Sequence, residues 1–419
     1  MSASPDDRPA SASGRSSPRR KRVASLITVF VVGFVILPLV IVGVIAHSVG
    51  PAMVPVYAST MTKVRRAELM RPYVVTRDPS ITPMAAGEAL YALRARPDAS
   101  VRPALRPATP AAVTFPPADK ALFSESSPWP GPSPTHLIDA AHKGLTRPQL
   151  DYLASISANP VWPVYATVAR APRVDIAGGE YKTPLPDDLS PYELPIPPFV
   201  RTKEIAYASV SRAALFLANG RAPQADTALR ETIATGLHLI DDGNTMIDDL
   251  IGAVIVGIGR AGLEELYGAT GNPELARLKA STDAFDKAQP ASPAASAPPS
   301  DLLHMVTDST LPRGFRYEVA MSLSASVCGS ASRLFFGAPR ETAEALTRAR
   351  AQVVRTPAEG ELFDLSTHVV DRARPAAAKQ VNALGPRLMM AYMRIPAFLL
   401  HNSRISNCMA MYMLIGAMS

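Results

Sequence analysis

The chain is poor in the residues that staple or metallate small scaffolds. It has two cysteines, seven histidines and two tryptophans in 419 residues. Two cysteines exclude a disulfide-rich framework and a four-cysteine zinc site. There is no HExxH pair, and His136 and His142 lack the spacing of a helical zinc pair. GxSxG, Walker-type and kinase signatures are also missing, which withdraws support from ordinary hydrolases and nucleotidyl enzymes. Charged residues make up only 19% of the chain. Long hydrophobic runs are scarce as well, with one exception: the 24 residues from Val23 to Ala46 carry no charge. As a helix they would extend about 36 Å, enough to cross a hydrocarbon core of about 30 Å. A single such run excludes a polytopic transporter or channel.

The flanks of this run orient it. Arg15, Arg19, Arg20, Lys21 and Arg22 precede it, and the next basic residue is Lys63. The positive-inside rule therefore predicts a cytoplasmic N-terminus and an exported remainder, as in a bacterial-type inner-membrane protein with most of its chain periplasmic. The rival is a cleaved signal peptide, with Ala46 or Ala58 near the cut, but its apolar core is typically only about 7–15 residues. An uncleaved signal anchor fits better. Most of the basic excess sits in residues 1–22, and the exported part has no basic or aromatic-rich run, so nucleic acid is not an expected partner.

The expected organisation follows from composition. Residues 1–22 read as a disordered basic tail, 23–46 as the anchor and 47–95 as membrane-proximal short helices, Thr60 to Met70 and Thr82 to Leu93. Ten prolines mark 96–135 as an extended linker. Residues 136–419 form the expected helical domain, interrupted by prolines between 184 and 198 and by an Ala/Ser/Pro loop at 290–299. The fold class expected is all-α: one transmembrane helix, then antiparallel helical hairpins with proline-rich irregular segments.

Helical spacing is clearest between Lys203 and Gln289. Tyr207, Val210, Ala214 and Leu217 mark one helical face, and Ala225, Leu229, Ile233, Leu237 and Ile240 mark the next. A second pair is expected over Thr245 to Ala269 and Glu274 to Lys287, around the turn Thr270-Gly271-Asn272-Pro273. Shorter helices are expected from Thr146 to Ile156 and from Val161 to Val168. Later ones are expected at about Tyr317 to Phe336, Glu341 to Arg355, Pro357 to Asp371 and Pro375 to Leu384. Thr356-Pro357-Ala358-Glu359 is a strong start signal for the third of these. The apolar pieces Ile395 to Leu400 and Cys408 to Met418 are too short to span a bilayer and read as core.

The two hairpin turns share a pattern: Phe216-x3-Gly220-x4-Ala225 and Tyr267-x3-Gly271-x4-Ala276. Residues 203–289 thus resemble tetratricopeptide-type hairpins, in which an aromatic ring fills the gap beside a turn and a small residue permits close helix contact. The repeats lie 51 residues apart rather than 34. Such a likeness implies stacked hairpins that bind a protein partner.

Four sets of residues compete for a chemical role. Gly257-Ile258-Gly259-Arg260-Ala261-Gly262 is a literal GxGxxG after an apolar run, as in dinucleotide-binding folds. No second strand precedes Asp283, so helix packing through Ala253, Gly257 and Ala261 is the preferred reading and no cofactor is expected. Asp241, Asp242, Asp248 and Asp249 are dense enough for a hard cation, but their spacing suits a helix-to-helix turn with capping carboxylates. Cys328 and Cys408 form the expected disulfide of the exported compartment. Cys408 with Met409, Met411 and Met413 offers soft ligands to copper(I), although alternating methionines on a helix diverge. The resulting expectation is a single-pass envelope protein that binds or scaffolds a protein partner. The alternatives are a periplasmic enzyme (a dinucleotide oxidoreductase or a hydrolase without a recognisable motif) and copper handling.

Overall fold

The computed structural model describes residues 61–94, 129–131, 134–185, 199–288, 308–309, 311–318, 320, 347–348 and 350–365. The expected anchor 23–46, the linker between 96 and 128, Cys328, Cys408 and the methionine cluster lie outside these residues. Among the described residues there is no β-strand, and no helix is long and apolar enough to cross a membrane.

Among the described residues, 61–68 are helical, and nine further helices follow. They are α1 (Pro83–Arg94), α2 (Leu137–Lys143), α3 (Arg147–Ser157), α4 (Val161–Arg170), α5 (Ile176–Glu180), α6 (Phe199–Ala218), α7 (Ala222–Asp242), α8 (Met246–Thr270) and α9 (Glu274–Ala288). Short helical turns recur at 313–318 and 357–365. Local chemistry sets several starts. Thr82 Oγ1 accepts from the Ala85 N–H ahead of α1, and the Thr146 N–H donates to Gln149 ahead of α3. Thr356 and Glu359 exchange the two bonds of a capping box.

The long helices α6, α7 and α8 form the centre of the described residues, with α9 against α8, and α7 makes its most extensive contact with α8. Ala225, Leu229, Ile233, Leu237 and Ile240 are all buried, as the α7 spacing predicts. Each fully buried leucine or isoleucine contributes about 1.5–3 kcal/mol, so this stripe anchors the stack. On α6 the expected face is buried at Ala214 and Leu217 and only half-buried at Tyr207 and Val210. Beside it, Ile205, Ala206, Ser209 and Ala213 are buried. Ser209 Oγ donates to the Ala228 carbonyl at 3.0 Å, which small side chains on this face permit.

Residues 61–94, read from sequence as a membrane-proximal stretch, are built into the same core. Val64, Ala67, Met70, Tyr73, Leu90 and Leu93 join the buried cluster shared with α2–α9. Their apolar spacing gave no sign of the distant surface they cover. Backbone contact between Gly87 of α1 and Gly179 of α5 fixes this attachment, because a Cβ at either would strike the other segment.

The two similar turns have one physical cause. Gly220 and Gly271 adopt φ of +71° and +65°. The N–H after each glycine returns to the aromatic carbonyl: Arg221 to Phe216 at 2.8 Å and Asn272 to Tyr267 at 2.9 Å. Each glycine N–H bonds the carbonyl three residues back, which completes a Schellman cap. The units are not equivalent beyond the cap, since Ala225 is buried and Ala276 is exposed.

The GxGxxG residues lie wholly inside α8. Packing does involve glycine there, but through a different set from Ala253, Gly257 and Ala261. Gly252 meets Gly236 of α7 backbone to backbone, Gly259 meets Ile233 and the Leu229 carbonyl, and Gly262 meets Leu229. Gly257 has nothing within 4 Å of a built Cβ, and Ala261 is exposed. Alanine should therefore act with opposite signs along one helix. Gly257→Ala should stabilise by about 0.5–1 kcal/mol through helix propensity. Gly252→Ala should destabilise by about 1–3 kcal/mol through overpacking against Gly236. Urea unfolding followed by circular dichroism measures both.

Candidate functional site

The turn between α7 and α8 gathers most of the buried charge. Helix α7 ends without a left-handed cap, since Gly243 has φ −62° and ψ 151°. Its last carbonyls are instead met by arginine side chains from distant segments. Arg355 Nη1 donates to the Asp241 carbonyl at 3.0 Å, and Arg313 Nη1 donates to the carbonyls of Asp242 and Gly243 at 3.0 and 2.9 Å. Cations at a helix C-terminus also meet the negative end of its dipole. Arg313 is itself buried, donates from Nε and Nη2 to the Val353 carbonyl and pairs with Glu359.

The four aspartates of this turn diverge to separate partners. Asp241 forms a two-pronged pair with Arg71, at 2.7 and 2.8 Å. Asp242 Oδ2 accepts from the Val174 N–H at 2.9 Å and from His238 Nδ1 at 3.2 Å. Asp248 caps the start of α8 with Thr245 and pairs with the buried Arg94 at 3.0 Å. Asp249 Oδ2 accepts from the Phe315 N–H at 2.8 Å, while its buried Oδ1 lacks a hydrogen-bond partner among the described residues. Among the described residues, no group of His, Cys, Asp or Glu converges as a metal site would require.

Arg94 also pairs with Glu180 at 2.8 Å. Burial works against the Arg94 charge, but the Asp248 and Glu180 carboxylates outweigh it and hold the guanidinium above its ordinary pKa. Burial pushes the Glu180 carboxyl up in spite of Arg94. It pushes Asp249 well up too, opposed by the Phe315 N–H and reinforced by the nearby Asp248 charge. Asp242 behaves differently: burial raises it, yet the His238 bond and charge, with the Val174 N–H, hold it below the usual carboxylate range.

Outside this buried layer lies a cleft of about 250 Å³, lined by Arg71, Arg77, Pro172, Arg173, His238, Asp241, Asp242 and Arg355. Arg77 Nη1 donates to the carbonyls of Ala169 and Ala171, at 2.7 and 3.1 Å, and reaches His238 Nε2 at 2.5 Å. Arginine has only donors, so His238 Nε2 accepts and Nδ1 carries the proton given to Asp242. The histidine joins a buried carboxylate to the cleft wall. Arg173 Nε and Arg355 Nη1 both approach Asp242 Oδ1 at 3.5 Å.

Capping, expected from sequence for the aspartates, describes Asp248; the arginines gathered at the turn were not foreseen. Arg71, Arg94, Arg313 and Arg355 sit far apart in the chain with no shared motif. Gly257, Gly259 and Gly262 form no strand-to-helix turn, the geometry by which such glycines cradle pyrophosphate. The chain matches no protein-family model, no curated protein and no solved structure.

Asp249 supplies a pH test. A carboxyl whose folded pKa lies above its unfolded value near 3.9 binds a proton on folding, so stability falls as pH rises from about 4 toward the folded value. Asp249→Asn should flatten that part of the stability–pH profile, whatever its effect on absolute stability. Urea midpoints from pH 4 to 8 read the slope, and an unchanged slope would assign the proton elsewhere.

Proposed function

We propose that this chain is a single-pass, membrane-anchored helical protein that binds or scaffolds a protein partner at the cell envelope. The uncharged stretch 23–46 supplies the anchor, and its basic N-terminal flank places the body outside the cytoplasm. The observation that carries the binding role is the hairpin stack ending in α9. Of the fifteen residues in that helix Leu278 and Thr282 are buried, Glu274, Leu275, Ser281 and Phe285 are half-buried, and the other nine are exposed. Stacked helical hairpins present such faces to peptides and proteins.

The interior supports a scaffold in another way. Buried ionic groups pair across distant segments, Arg94 with Glu180 and Asp248 and Arg313 with Glu359, and the buried Glu231 meets the exposed Arg170. These contacts fix relative positions of distant segments.

Photocrosslinking in intact cells tests the reading. A photoreactive amino acid replacing Ala276 or Ala280, both exposed on α9, should give a discrete protein adduct of constant mass. The same probe at exposed Ala154 on α3 should not. Absence of any discrete adduct from both α9 positions contradicts a partner on that face.

A further inference from the structure

The arginine-lined cleft is independent of the α9 face, and its charge is unbalanced. Four guanidinium groups meet two carboxylates, Asp241 and Asp242. Arg71 is matched by Asp241 and also reaches Glu68 at 3.3 Å. Asp242 is left to face Arg77, Arg173 and Arg355, and it is already engaged by Val174 and His238. The Arg173 guanidinium makes no hydrogen bond among the described residues; its Nε only approaches Asp242 at 3.5 Å.

The cations also disfavour one another. Arg355 is held below its ordinary pKa by burial and then by the charges of Arg313 and Arg173. Arg77 is lowered by burial first, with Arg71 adding to the effect against the pull of Asp241 and Asp242. An anion between them would relieve this repulsion. Two of the donors are held in place: Arg77 by the carbonyls of Ala169 and Ala171, and Arg355 by the Asp241 carbonyl. Such pre-positioned guanidinium forks suit the oxygens of phosphate, which accept paired N–H bonds. With Glu68 also on Arg71 the excess is one positive charge, and the three forks facing Asp242 suit an acceptor with several oxygens better than a carboxylate with two.

We propose that this cleft binds a phosphate group. The volume of about 250 Å³ admits the group while leaving its substituent in solvent. Two sources share the chemistry: a soluble phosphate, and a phospholipid headgroup. The second source rests on the anchor proposed above, whose apolar stretch ends at Ala46, before Arg71 and Arg77 in the chain.

Titration calorimetry on the full chain in a neutral detergent separates them, with inorganic phosphate and dihexanoyl phosphatidic acid as probes. The wild type should bind at least one. Comparable affinity for both assigns soluble phosphate, and markedly tighter binding of the lipid assigns a headgroup. Arg173→Gln, at an exposed residue without hydrogen bonds to lose, should weaken binding by about tenfold, the worth of a charge-assisted hydrogen bond. Arg173→Lys should recover part of that loss by restoring the charge. No heat from either probe with the wild type overturns the proposal, as does unchanged affinity in Arg173→Gln.

Discussion

The fold depends on how the C-terminus of α7 is satisfied. A helix end leaves carbonyl groups without internal partners, and here the chain adds four aspartates within nine residues of that end. Buried carboxylates and carbonyls are tolerated only when donors reach them. The donors come from segments hundreds of residues apart in some cases: Arg71 and Arg94 before the proline-rich stretch, the Val174 N–H in the middle, and Arg313, Phe315 and Arg355 after α9. One turn thereby requires the early and late parts of the chain to meet. Removing one member of a buried pair typically costs about 3–5 kcal/mol, because the partner charge is left unpaired. The clasp therefore specifies assembly more strictly than its net energy alone implies.

Most of the helical body was legible from local signals. Spacing, caps and turn glycines located α3, α4 and α6 to α9 near their observed ends, because these features act within a few residues. The paired turns were legible as a pattern, while their cause is the Schellman hydrogen-bond geometry common to both. Three things were hidden. The docking of residues 61–94 depends on a glycine contact between α1 and α5, which no periodicity records. The interlocking face of α8 is shifted from Ala253, Gly257 and Ala261 to Gly252, Gly259 and Gly262, since spacing gives a face but not its rotation toward a neighbour. Single arginines scattered over the chain carry no motif at all, so their convergence appears only in the folded structure.

The same turn links stability to the candidate site. Its inner side, Asp248 and Asp249, joins α1, α5 and the segment around Phe315. Its outer side, Asp241 and Asp242, forms the floor of the arginine cleft. His238 bridges two groups of the cleft wall, receiving from Arg77 and donating to Asp242. Cleft geometry is thus tied to the turn, and Arg173 is the lining cation that makes no hydrogen bond among the described residues. An anion at the cleft and a partner at α9 would engage the same body without competing for the same residues.

The most direct test of the clasp is hydrogen exchange by mass spectrometry on the full chain carrying Asp242→Ala and Asp248→Ala. Protection should fall together at residues 87–94, 174–180 and 353–360, three segments that meet at the turn. Faster exchange confined to residues 238–250, with those three segments unchanged, would contradict it.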